Sequence, residues 1–255
     1  MTTRERIQNE YAGLVESFAN SVKGMAIEGI PAPLIPIAGR NYDKCAYKMA
    51  FVGMETKETK KSRNCQRFIE DPEKVIAEYE KWFNDSEMFK HGVKSAYWNF
   101  IKNFLDEFYN KTLKKTEIMT SFVWGNTNSI ERYEITAKNN AVNRDVWETV
   151  KKASKPFDNI NHIIDAAHPQ IVFILYKSVE KEYFLAGNNA CMQKHAFTND
   201  KGKKITFRYY YLRNRDTHVF VTHHPVWMKR SGNFQGYINA LIDAIKAHNI
   251  LPQYV

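Results

Sequence analysis

The segment Tyr47-Lys48-Met49-Ala50-Phe51-Val52-Gly53-Met54-Glu55-Thr56 runs from apolar residues into a glycine and then an acidic side chain. Residues 47–52 have the length and composition of a strand, and Gly53 opens a long polar loop that ends near Cys65. The same arrangement recurs further along the chain. Residues 118–124 (IMTSFVW) predict a strand ending at Gly125-Asn126-Thr127-Asn128, and residues 218–222 (HVFVT) predict one ending at His223-His224-Pro225. Between them, residues 171–176 (IVFILY) form a nearly continuous apolar run after Pro169, which suits a strand covered on both faces. Residues 205–212 (ITFRYYYL) predict a further strand.

Helical patterns separate these strands. Residues 3–23 carry Ile7, Tyr11, Leu14, Val15, Phe18 and Val22 at helical spacing and stop at Gly24. The three prolines of residues 30–42 (IPAPLIPIAGRNY) exclude a helix and favour an extended chain laid over a surface. Asp71-Pro72-Glu73 is a helix start, with an N-cap carboxylate and proline at the first helical position. Residues 94–109 predict a helix whose aromatic stripe (Trp98, Phe100, Phe104, Phe108) belongs to a core, and further helices are expected at 144–153, 158–167 and 236–248. This alternation predicts a three-layer α/β fold with a central, mainly parallel β-sheet flanked by helices. Ligands of such sheets sit beyond the carboxyl ends of the strands, so the polar motifs at 53–55, 125–128 and 222–225 should meet at one rim. No linker divides the chain, and residues 1–255 read as a single domain, with 1–40 an N-terminal helix and extended segment packed on it.

The formal charge of +9 and a pI near 9.3 favour a polyanionic partner. Cys45, Cys65 and Cys191 are odd in number and widely spaced, which argues against a disulfide framework and a cysteine-built metal site. No apolar run approaches the roughly 18 to 20 residues that span a bilayer, and the polar start lacks a signal peptide's apolar stretch. A soluble, cytoplasmic protein is expected, without membrane association.

The order and spacing of these motifs resemble the uracil-DNA glycosylase superfamily. There a strand leads into a Gly-x-Asp/Asn/Ala-Pro-like turn, matched here by Phe51-Val52-Gly53-Met54-Glu55-Thr56. A mid-chain strand ends in an Asn-Thr-like pair, matched by Asn126-Thr127. Near the C-terminus a strand is followed by His-Pro-Ser and a basic segment containing glycine, matched by His224-Pro225-Val226-Trp227-Met228-Lys229-Arg230-Ser231-Gly232. The run from Pro169 to Leu175 is similar to the superfamily's proline-led strand.

The resemblance implies a uracil-DNA glycosylase-like fold and hydrolysis of an N-glycosidic bond in DNA, with the base flipped out and an abasic site left behind. It makes Glu55 the group that orients water or offsets charge on the sugar. It makes His224 the group that stabilises the departing base, with His223 a rival and either protonation state open. Asn126 would read the flipped base through its amide donor and acceptor, or else cap a turn. Gly53 and Met54 would border the base, and Phe68 would lie under it. Lys57, Lys60, Lys61 and Arg63 would contact phosphates, while Met228, Lys229, Arg230 and Ser231 would form the loop that enters or grips the duplex. No metal or organic cofactor is implied; DNA is the expected partner and a monomer the expected state.

Thr56 stands where the superfamily has proline, and Val226 where it has serine. These departures widen the expected substrate from uracil to a damaged or modified pyrimidine, such as those found in some viral DNA. A non-catalytic protein of the same fold that recognises an altered base is the second reading. A metallohydrolase built on His223 and His224 fits poorly, because adjacent residues at an extended strand end point opposite ways.

Overall fold

A computed structural model describes residues 1–55, 63–85, 95–110, 114–131, 133, 136, 142–199 and 202–250, with the backbone alone for 55, 115 and 116. Its strands are β1 (Ile37–Ala38), β2 (Met49–Glu55), β3 (Phe122–Asn128), β4 (Ile171–Ile174), β5 (Ala190–Thr198), β6 (Lys204–Leu212) and β7 (Thr217–Val221). They form one mixed sheet in the order β1-β3-β2-β4-β7-β6-β5. The central strands β3, β2, β4 and β7 are parallel, while β1 at one edge and the β6–β5 hairpin at the other are antiparallel.

The main helices are α1 (Thr3–Val22), α2 (Cys65–Glu70), α3 (Pro72–Asn84), α4 (Ala96–Phe108), α5 (Arg144–Ser154), α6 (Ile160–Ala167), α7 (Pro225–Arg230) and α8 (Phe234–Ala247). The expected N-caps are present where the sequence offers them. Asp71 accepts the amide of Lys74 at the start of α3, satisfying one of the four orphan donors there.

Strand register explains the layering. Trp124, Phe51, Phe173 and Phe220 lie in one row across β3, β2, β4 and β7, so all four face the same side. Phe51 stacks on Phe173 at 4.9 Å, Phe104 of α4 meets Phe173 at 4.7 Å, and Phe83 of α3 stacks on Trp124 at 5.8 Å. On the other face Ile163 of α6 packs over Gly125, and α1 lies against α5 and α6. The sheet is therefore buried on both faces at its centre, which is why its strands read as apolar runs.

The structure departs from the sequence-based expectation in several places, the first being that β2 continues through Gly53 to Glu55, where a loop was expected to open. Residues 115–118 form a helical turn, so β3 starts at Phe122 and carries Gly125 to Asn128 within the strand, not after it. A short apolar run cannot by its pattern distinguish a helical turn from a strand, and the local bond from the Lys114 amide to the Glu117 carboxylate decided for the turn. The proline-rich segment does more than cover a surface. It buries Ile30, Leu34, Ile35 and Ile37 and supplies β1 to an otherwise open sheet edge. The edge strand β5 was not anticipated, because one pairing partner and mostly exposed side chains remove the apolar pattern that reveals a strand.

Candidate functional site

Parallel pairing brings the first two motifs side by side, with Gly53 of β2 in register with Asn126 of β3 and Glu55 with Asn128. The hydroxyl of Thr127 donates to the Met54 carbonyl at 3.1 Å and ties the two strand ends together. Gly53 is needed for close approach. A Cβ at this position would lie 2.6 Å from Asn126 Oδ1 and 3.1 Å from the ring of Tyr97, the second residue of α4. Tyr97 donates its hydroxyl to the Phe51 carbonyl at 3.2 Å, which fixes the ring against the end of β2. Burial raises its pKa far above the ordinary phenol value, so it offers an apolar wall and no proton.

Gly53→Ala is expected to cost about 1–3 kcal/mol, as overpacking of a filled space does. A lower urea midpoint at unchanged m-value would register it, whereas an unaltered midpoint would mean that Asn126 and Tyr97 do not crowd this glycine.

The third motif arrives from β7. His224 is the N-cap of α7, its Nδ1 accepting the Val226 amide at 3.3 Å, with Pro225 in the first helical position. Its ring lies 6.3 Å from that of Tyr97 and nearly parallel to it, at 21°. Burial lowers its pKa below the ordinary 6.5, so the neutral ring is favoured at neutral pH. With Nδ1 accepting, the single ring proton of that neutral form belongs on Nε2.

His223 turns the other way. It stacks on Trp227 at 4.0 Å and hydrogen-bonds through Nδ1 to the hydroxyl of Tyr237 in α8. Burial, with smaller contributions from Lys177 and Lys203, pulls its pKa down to about 4. His195, His218 and His248 are also lowered, chiefly by burial. An unfolded histidine titrates near 6.5, so below that pH the unfolded chain binds more protons than the native one. The stability these groups contribute is complete above about 6.5 and falls as pH drops toward about 4. Thermal midpoints recorded across this window should decline, and His223→Gln should make the decline shallower; a flat profile would remove this account.

Several predicted residues lie elsewhere. Phe68 is 1% exposed and meets Phe18 and Phe157 edge-on, so it is a core side chain and no platform for a base. Arg63 is 5% exposed, with its guanidinium 4.4 Å from the Tyr79 ring centre, an apolar stacking site and not a phosphate contact. Met228 is fully buried and cannot enter a duplex. Its neighbours Val226 and Trp227, 37% and 38% exposed, are the apolar residues α7 presents to solvent. Lys229 and Arg230 are exposed in the last turn of α7. The hydroxyl of Ser231 donates to the Trp227 carbonyl at 2.9 Å and closes that helix. Lys57, Lys60 and Lys61 lie outside the described residues, as does the side chain of Glu55.

Sequence reasoning missed Tyr97 and Trp227. Tyr97 was not singled out beside the aromatic stripe of residues 98–108, although a polar-tipped ring in the first turn of its helix was a usable signal. Trp227 was hidden because the residues after it, 228–231, were expected to form a loop, and only helical geometry sends Met228 inward and Trp227 outward.

The fold and rim define a three-layer α/β protein with a polar site at the carboxyl ends of its parallel strands. Compared with protein-family models, curated proteins and solved structures, the chain matches none.

Proposed function

We propose that this chain is a monofunctional DNA glycosylase that flips a damaged or modified base, uracil or a modified pyrimidine, and hydrolyses its N-glycosidic bond. The observation that carries this reading is the meeting of Asn126 and His224 around Tyr97 and Gly53 at one strand rim. Asn126 offers both a donor and an acceptor to a base edge. His224 offers a proton on Nε2 to an oxygen of the departing base, where negative charge develops as the C1′–N bond breaks. Glu55, two residues beyond Gly53 on β2, is the carboxylate that takes a proton from the water attacking C1′. Tyr97 supplies a flat wall, since its hydroxyl is committed to the Phe51 carbonyl. Trp227, exposed beside this rim, is suited to stack where a base has left the helix. In this reading the protein acts on DNA as a cytoplasmic monomer and uses no cofactor.

The direct test is incubation with genomic DNAs that carry different natural base modifications, followed by alkaline cleavage of abasic sites and mass spectrometry of released bases. Release of a single base type would give both reaction and substrate. Tight binding of abasic-site analogues with no base released from any DNA, unchanged by Glu55→Gln, would replace catalysis by recognition alone.

A further inference from the structure

A concave surface opens beside the rim, on the sheet face opposite Tyr97. Lys177, which follows β4, stands with Met192 and Lys194 of β5, Thr206 and Arg208 of β6, and Val221 at the end of β7 around a volume of about 450 Å³. Among the described residues, no carboxylate lines it. Among the described residues, no ion pair joins Lys177, Lys194 or Arg208 to an acidic side chain.

The charge arrangement is unfavourable as it stands. Lys194 and Arg208 are directly opposed across β5 and β6, and like charges in that position destabilise a strand pair. Arg208 also donates to the Lys177 carbonyl at 2.6 Å, which holds its guanidinium in the wall of the groove. An anion lying between these side chains would relieve the repulsion. Lys204 continues the same face of β6 one and two alternations beyond Thr206 and Arg208, so the positive strip follows the strand. Lys177 of the groove also acts electrostatically on His223, the residue before His224, so the groove lies beside the end of β7 that carries the candidate site.

We propose that this groove binds the phosphodiester backbone of single-stranded DNA running to or from the rim. The proposal rests on the glycosylase reading only in taking DNA as the polyanion. A single strand fits for two reasons: a recess of this size is too small for a duplex, and exposed Met192 gives an unstacked base an apolar contact beside the cations.

Fluorescence anisotropy with a labelled oligothymidylate, set against a duplex of equal length over a salt series, tests it. Each phosphate contact on a single strand contributes about 0.7 to the slope of log affinity against log salt. The Lys177→Ala, Lys194→Ala, Arg208→Ala triple variant should therefore lose about 2 from that slope, and the Lys177→Ala, Lys194→Ala pair about 1.4. The pair leaves Arg208 and its hydrogen bond in place, so it reports on the groove even where the triple variant is destabilised. An unchanged slope, or an equal loss with the duplex, would overturn the proposal. The two readings fail separately. A reduced slope with no base released from any DNA keeps the groove and removes the glycosylase, while base release with an unchanged slope does the reverse.

Discussion

His224→Ala is expected to slow base release by about 10²–10³-fold under single-turnover conditions, the usual effect of removing one preorganised donor to developing negative charge. The donor is preorganised because the Val226 amide occupies Nδ1 and leaves the ring proton on Nε2, with the Tyr97 ring nearly parallel at 6.3 Å. The same substitution deletes the N-cap of α7, which costs about 1 kcal/mol of stability. His224→Asn separates the two effects. An asparagine side chain caps well but ends short of the Nε2 position, so this variant should keep the thermal midpoint and still lose the rate. His223→Ala, by contrast, should lose stability with little change in rate, since that ring is engaged by Trp227 and Tyr237. The pH profile supplies the sign. Activity that depends on neutral His224 is constant through neutral pH and falls only below 6.5, as the ring takes up its proton. If His223→Ala lost the rate and His224→Ala did not, the roles of the two histidines would be exchanged.

Glu55→Gln is expected to lower the same rate by about 10²–10⁴-fold, the range for loss of a positioned general base. Glutamine preserves volume and hydrogen bonding but neither accepts a proton from water nor offsets positive charge on the sugar. Binding of DNA carrying an abasic-site analogue should be retained, because removing one carboxylate from a basic protein does not weaken its grip on phosphates. Loss of binding and rate together would make Glu55 structural. A variant as active as the parent would place the base elsewhere in the site.

How much of the site could be read in advance differs residue by residue. Gly53, Asn126 and His224 were legible because each lies at or just past the carboxyl end of a strand, and parallel strands deliver those ends to one rim. Phe68 and Arg63 were misplaced for a common reason: sequence distance from a motif carries no information about which side of a helix or loop is covered. Arg63 ranked as a surface cation on charge alone, whereas Tyr79 and Trp82 provide it a stacked, buried setting. The β6 strand was expected, but β5 and the opposition of Lys194 to Arg208 lay outside what the pattern could show, since cross-strand neighbours are set by register.

The sequence by itself determined the α/β class and the buried parallel centre, because strands covered on both faces must be continuously apolar and these are. It also determined that polar motifs at 53–55, 125–128 and 222–225 would share one rim. The tertiary structure alone decided which side chains occupy that rim. Tyr97 enters it from a helix whose other aromatics are core, and Met228 leaves it for the interior while Trp227 stays outside. The reason is physical: local periodicity fixes the direction of a side chain within its own element, but burial depends on what packs against that element from elsewhere in the chain.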